Sequence, residues 1–185
     1  MAAVPWREES LESVVNSLLP QVDTLNIYLN GWEKIPTFLH HKKINPVLSQ
    51  NEIGDLGDRG KFYWCNKITG IHLTVDDDIL YPLDYVEKIL DGMNRNKKSI
   101  VTFHGSILRS PHFSKKETVS HFARDTATDI SVTIGGTGVM AYNTEVVKIN
   151  FDSFRCDFWA DGWFAIQSRA QQIPIVSLEH ESGWL

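Results

Sequence analysis

The segment IHLTVDDD, residues 71–78, determines how the rest of the chain is interpreted. Five residues typical of a buried strand run directly into three carboxylates, Asp76, Asp77 and Asp78. The pattern predicts a buried strand that ends in an acidic cluster. Because ligands bind beyond the carboxyl ends of the strands in open α/β sheets, the segment also predicts a binding site at that edge.

Three adjacent carboxylates repel one another unless a cation or hydrogen-bond donors lie among them. Hard oxygen ligands at this density suit Mg²⁺ or Mn²⁺, and either ion would in turn suit a diphosphate. On an extended chain, Asp76 and Asp78 point to one side and Asp77 to the other. The alternative is a solvated acidic turn before a helix, where the helix dipole favours negative charge.

Length and composition indicate the class of protein and its number of domains. The chain has 185 residues, of which 42% are hydrophobic and 22% charged, which is ordinary for a protein with a buried core. A net charge of −5 argues against general nucleic-acid binding, and no apolar run reaches the length of a membrane span. The first residues lack the apolar stretch of a secretory signal, and Cys65 and Cys156 lack metal-ligand spacing. We therefore expect a cytoplasmic protein with one domain, residues 1–185, or one module of a longer protein.

Helical and strand patterns alternate along the chain. Residues 8–19 show helical periodicity, residues 25–29 alternate as a strand, and a helix is expected after Pro82 and again over residues 161–171. This order predicts an α/β protein with a largely parallel, twisted sheet. Residues 104–130 show no sustained period, so they are expected to form a long mobile loop over a ligand.

The ordered succession of short motifs resembles the family 2 glycosyltransferases, which have the GT-A fold. The matching residues are REESL at 7–11, SLLPQ at 17–21, Asn30-Gly31, DLGD at 55–58, the Asp-x-Asp motif at 76–78 and DGWFA at 161–165. The resemblance covers nearly the whole chain in the right order. One departure is Ala160, which stands where many members carry an acidic residue and leaves Asp161 as the only acid of that pair.

The resemblance implies a metal-dependent transfer of a sugar from a nucleotide-diphosphate sugar to a glycan hydroxyl, with inversion. UDP is the expected nucleotide because it is the most frequent one in the family. Asp161 would be the general base, and Asp78, with Asp76 and His180, would bind Mn²⁺ or Mg²⁺. The implied nucleotide-sugar contacts are Pro5, Arg7, Asn30, Asp55, Lys61, Asp76, Asp77, Gly136 and Thr137.

Several of these residues also have a structural interpretation. Asp161 can serve as a helix N-cap, His180 as a surface residue, and residues 135–138 as a plain hairpin turn. Trp163 is expected in the core, Trp159 can stack on a sugar ring, and His104 can face the acceptor or be purely structural. Two other functions stay open: a sugar-nucleotide nucleotidyltransferase, and a non-catalytic nucleotide-sugar-binding module.

Overall fold

Three sheets and three α-helices form the part of the chain that the computed structural model describes, residues 1–110, 115–155 and 158–185. The helices are α1 (Glu8–Leu18), α2 (Tyr85–Arg95) and α3 (Ala160–Ala170). The strands are β1 (Ala2–Ala3), β2 (Leu25–Leu29), β3 (Ile44–Leu48), β4 (Ile71–Val75), β5 (Ile100–Thr102), β6 (Gly105–Leu108), β7 (Lys116–Ser120), β8 (Ile130–Val132), β9 (Ile134–Gly135), β10 (Val139–Asn143) and β11 (Ile175–Ser177).

The N-terminal sheet is parallel and has the order β1-β2-β3. The helix α1 buries Leu11, Val14, Val15 and Leu18 against the core, and this apolar stripe confirms the helix expected over residues 8–19. The sheet, α1 and buried residues of α2 contribute to one apolar core.

The central sheet has the order β4-β10-β5-β11-β8 and is mixed. Its β5–β11 pair is parallel, whereas β10 runs antiparallel to both β4 and β5, and β8 runs antiparallel to β11. The mixed α/β class is therefore confirmed, but the largely parallel GT-A sheet is not. The reason is the insertion of β10 between β4 and β5, a long-range pairing that the order of elements along the chain does not reveal.

The third sheet corrects the expectation of a long irregular loop over residues 104–130. It has the order β7-β6-β9 and is antiparallel, and it joins β6 and β7 as neighbours. The strand β7 is mostly exposed and polar, so it lacks the apolar alternation by which strands are recognised in a sequence.

Candidate functional site

A cleft of about 560 Å³ lies where the end of β4, the loop between β9 and β10 and the start of α3 meet. It collects residues that are far apart in the sequence. Of the residues predicted from the sequence, the cleft is lined by Arg7, Asn30, Asp55, Lys61, Asp76, Asp77, Asp78, Gly136, Thr137 and Asp161. Pro5 lies between two residues that line the cleft, Val4 and Trp6.

The three carboxylates follow β4 as a turn, here called the acidic turn (residues 76–78). Lys61 pairs with Asp76, and the Arg7 guanidinium pairs with both Asp77, at 2.7 Å, and Asp78, at 3.0 Å. The alternation expected for an extended chain is therefore wrong, because the strand ends at Val75 and the turn brings Asp77 and Asp78 to the same cation. Two cations thus hold three carboxylates together.

Burial distinguishes the members of the acidic turn. The side chains of Lys61 and Asp77 are each 4% exposed, whereas those of Asp76 and Asp78 are 35% and 44% exposed. Burial by itself would lower the pKa of the Lys61 ammonium, but the charge and hydrogen bond of Asp76 raise that pKa above its ordinary value. Burial raises the pKa of Asp77, and Arg7 opposes this shift. Asp76 and Asp78 are the carboxylates that can still meet a ligand.

A buried tyrosine fixes the acidic turn to the glycine-rich loop (residues 135–138). The Tyr81 hydroxyl accepts a hydrogen bond from the Asp76 N–H at 2.8 Å and donates one to the Gly138 carbonyl at 2.5 Å. A Cβ atom at Gly138 would overlap the Asp76 carboxylate, so only glycine permits this approach. The loop and the acidic turn therefore form one wall of the cleft.

The same loop also holds Asp161. Its Oδ1 atom accepts hydrogen bonds from the Thr137 N–H at 2.8 Å and from the Thr137 hydroxyl at 2.6 Å. Asp161 lies in the first turn of α3, which begins at Ala160 with Trp159 in the N-cap position, so the N-cap interpretation of Asp161 is wrong. Since Thr137 and Gly138 are consecutive, the contacts to Asp161 and Asp76 come from adjacent residues.

A turn of 3-10 helix, Gly57–Phe62, connects the acidic turn with the start of α3. Its Lys61 pairs with Asp76, and its Asp58 carboxylate accepts hydrogen bonds from the N–H groups of Phe158 and Ala160. The adjacent Arg59 donates to the Phe154 carbonyl at 2.8 Å. This turn therefore fixes both sides of the cleft relative to one another.

Two of the predicted nucleotide contacts organise the neighbouring loop. The buried Asn30 amide donates to the Gly57 carbonyl at 2.9 Å and accepts from the Leu56 N–H at 3.0 Å. Asp55 is exposed and accepts from the Gly57 N–H through Oδ1 at 2.8 Å. Asn30 thus positions the loop, while the Asp55 carboxylate remains accessible from the cleft.

His180 is a predicted site residue that the structure places away from this cleft. Its ring is buried beside Phe103, with Nδ1 2.8 Å from the Leu178 carbonyl oxygen and Nε2 3.0 Å from that of His121. The chain beyond β11 turns so that His180 pairs with Thr126 as an isolated bridge. His180 therefore lies apart from the carboxylates of the acidic turn, with which it was predicted to bind a metal.

A different histidine, His104, lines the cleft. The Gly136 N–H donates to its carbonyl at 2.8 Å, and its ring packs against that of His121. Burial, followed by the charge of His121, lowers the pKa of the His104 imidazole below its ordinary value. Within the described part of the chain, its buried Nδ1 atom has no hydrogen-bond partner.

Sequence reasoning missed several cleft residues, among them Trp6, Asp58 and Phe158. Trp6 and Phe158 are large and exposed, but a sequence does not show which aromatic residues remain outside the core. Asp58 lies inside the quoted DLGD motif, and its contact with α3 spans about 100 residues. Trp163, by contrast, packs against the core as expected. Cys156 and Asp157 lie outside the described residues.

The cleft offers carboxylate oxygens to a divalent cation. Among the described residues, no group of three or more His, Cys, Asp or Glu side chains is arranged to hold a metal by itself. Mg²⁺ does not need such a group, because it is usually bound by one or two carboxylates together with substrate phosphates and water. The partly exposed carboxylates of Asp76 and Asp78 fit that mode of binding.

Comparisons with known proteins leave the family open. No protein-family model matches this chain, and no curated protein sequence matches it.

In the described residues, none of the helices combines the length and the apolar character needed to cross a bilayer.

Proposed function

We propose that the protein is a metal-dependent glycosyltransferase that moves a sugar from a nucleotide-diphosphate sugar, with UDP as the nucleotide, to a glycan hydroxyl. The observation that carries this proposal is the pair of contacts from adjacent loop residues. Thr137 binds Asp161, and Gly138 lies against Asp76, so a carboxylate suited to a base and one suited to a metal line the same cleft.

The acidic turn is assigned to the diphosphate end of the donor. Asp78 and Asp76 would hold Mn²⁺ or Mg²⁺, which supplies charge neutralisation for the leaving nucleoside diphosphate. Asp77 is buried and bound to Arg7 and to the Val4 N–H, so it shapes the turn. Arg7, Asp55 and the segment around Pro5 are assigned to the nucleotide.

Asp161 is assigned to the acceptor. An inverting transfer requires one carboxylate that takes the proton of the acceptor hydroxyl as its oxygen attacks the anomeric carbon. Thr137 fixes the carboxylate through Oδ1, so Oδ2 is assigned to proton transfer. Preorganisation of this kind reduces the entropy lost when the reacting groups are aligned.

One observation also favours the non-catalytic binding module. The two hydrogen bonds from Thr137 would give Asp161 a structural purpose even in a protein without catalytic activity. The two functions differ in one respect: a binding module retains nucleotide-sugar affinity but produces no free UDP.

A screen of nucleotide sugars tests the proposal. The protein would be incubated with each UDP-, GDP- and CDP-sugar with Mn²⁺ or with EDTA, and both melting temperature and release of the nucleotide would be recorded. A bound donor must raise the melting temperature by mass action. We expect stabilisation by a UDP-sugar and slow UDP release, both requiring Mn²⁺. Stabilisation without UDP release, even with an array of glycan acceptors, would favour the binding module. The absence of both stabilisation and release would contradict both functions.

A further inference from the structure

Two adjacent aromatic residues directly precede α3 and line the cleft. Phe158 is 81% exposed and Trp159 is 47% exposed. Isolated exposed apolar side chains are common, but a pair of adjacent aromatic rings in a cleft is typical of a contact surface. These two residues are here called the aromatic pair.

The backbone at Phe158 has an unusual conformation. Its φ angle is +57°, in the left-handed region that residues other than glycine rarely adopt. One carboxylate maintains this conformation: Asp58 accepts from the Phe158 N–H through Oδ1 at 2.9 Å and from the Ala160 N–H through Oδ2 at 3.0 Å. Rare conformations that the surrounding structure enforces occur preferentially at functional sites.

We infer that Phe158, with Trp159 beside it, is a stacking platform for a sugar ring of the acceptor, and that Asp58 is the residue that positions it. A pyranose ring presents a face of C–H groups that packs on an aromatic ring, while its hydroxyls remain at the edge. Asp161 follows Trp159 by two residues and lines the same cleft, so a ring stacked on the pair lies beside the candidate base. The identification of this saccharide as the acceptor rests on the proposed glycosyl transfer, whereas saccharide binding itself can be measured separately.

The charges in the cleft favour a saccharide over a lipid chain. Asp58, Asp161 and Lys116 line the cleft together with the aromatic pair. A hydrocarbon chain would desolvate these groups without forming hydrogen bonds to them, which is costly. A sugar ring offers hydroxyls to the same charged groups and its C–H face to the aromatic rings.

The test uses the full chain saturated with UDP and Mn²⁺ on an array of immobilised oligosaccharides, followed by calorimetry with the methyl glycoside of the best-bound terminal sugar. The main variant is Phe158→Asn, because asparagine tolerates positive φ and removes the ring without adding backbone strain. Phe158→Tyr keeps an aromatic face. Leu83→Asn is the matched control, since Leu83 is also 81% exposed and lies outside the set of residues that line the cleft.

We expect Phe158→Asn to weaken saccharide binding about fivefold to tenfold, the usual worth of an aromatic contact. Phe158→Tyr and Leu83→Asn should bind as the unaltered protein does, and Phe158→Asn should not lower the melting temperature. Saccharide affinity that is unchanged in Phe158→Asn would overturn the inference. So would the absence of any saccharide bound by the unaltered protein.

Asp58→Ala tests the positioning role. If Asp58 acts through Phe158, the variant should weaken saccharide binding, and the double variant with Phe158→Asn should be no weaker than Phe158→Asn alone. Additive losses would contradict the positioning role. Failure of the platform can be distinguished from failure of the proposed function. If saccharide binding depends on Phe158 but the protein does not respond to nucleotide sugars, the platform is supported and the transfer reaction is contradicted.

Discussion

Two groups of acidic side chains in this molecule are held by their neighbours in different ways. In the acidic turn, three carboxylates share the cations Arg7 and Lys61, and two of those carboxylates remain partly exposed in the cleft. In the second cluster, Asp129 accepts hydrogen bonds from the Glu179 N–H at 2.9 Å, from the Asn96 amide at 2.7 Å and from Arg95 at 3.2 Å. This second group is called the Asp129 cluster.

The difference lies in the hydrogen bonds that each carboxylate accepts and in its exposure to the cleft. At Asp129, a backbone N–H, an amide and a guanidinium converge on one carboxylate and connect the end of α2 with the segment after β11. In the acidic turn, Asp76 and Asp78 are paired with Lys61 and Arg7 but are 35% and 44% exposed, and both line the cleft. A carboxylate whose oxygens are satisfied by neighbouring donors stabilises the fold, whereas partly exposed carboxylates in a cleft remain accessible to a ligand.

The largest expected effect concerns the carboxylate across the cleft from the acidic turn. Asp161→Asn should lower turnover roughly 10²- to 10⁴-fold, the usual worth of a positioned acid or base. The asparagine oxygen can still accept both bonds from Thr137, so fold and donor affinity should survive. Transfer rate, UDP-sugar affinity and melting temperature would be measured on the same variant. Near-normal transfer with intact binding would eliminate Asp161 as the base, and His104 would be the next residue to test.

The second expected effect compares the two partners of the buried ion pair. Asp76→Asn should lower the free energy of unfolding by about 2 kcal/mol, because it leaves the buried Lys61 ammonium without its nearest counter-charge. Lys61→Met should cost less, because Asp76 is partly exposed and water can solvate it. For a chain of this size, each kcal/mol changes the melting temperature by on the order of 2–4 °C, so the melting temperatures of the two variants should differ by several degrees. Equal losses in the two variants would show that burial of the ammonium is not the dominant cost.

The third expected effect distinguishes the two clusters by metal dependence. Asp78→Ala should weaken Mn²⁺-dependent UDP binding by at least about tenfold and leave the affinity measured in EDTA unchanged. Asp129→Ala is the matched control, since it removes a carboxylate from the cluster that its neighbours satisfy. Calorimetry with UDP would measure both. Equal UDP affinity in Mn²⁺ and in EDTA for the unaltered protein would exclude the metal role.

The smallest expected effect is the pH dependence of the Asp129 cluster. Burial raises the pKa of Asp129, but the hydrogen bonds from Glu179, Arg95 and Asn96 outweigh burial and lower that pKa below its ordinary value. A carboxyl whose pKa is lower in the folded state stabilises the fold above its unfolded pKa and loses that contribution as pH falls through the folded value.

Asp129→Asn should therefore cost about 1 kcal/mol at pH 7. It should also make stability less sensitive to acid below about pH 4, the range in which an unfolded Asp titrates. Urea unfolding at several pH values would measure both quantities, with UDP affinity as the control that should not change. An acid sensitivity equal to that of the unaltered protein would contradict the assigned hydrogen bonds.

Much of the local structure could be predicted from the sequence. The apolar spacing in α1, the alternation in β2 and the run that becomes β4 each reflect contacts within a few residues or a single buried face. The carboxylates of the acidic turn and the helix that carries Asp161 were also recognisable, because a strand end and a helix start have local signals.

The arrangement of these elements was decided only by tertiary structure. The insertion of β10 between β4 and β5, the antiparallel pairing of β6 with β9 and the pairing of His180 with Thr126 all depend on contacts between distant residues. The same is true of the Asp58 carboxylate, which reaches Phe158 and Ala160 across about 100 residues. Periodicity and composition report which face of an element is buried, but they do not report which other element covers it. The sequence by itself therefore determined the elements and the acidic turn, whereas folding determined which residues share its cleft.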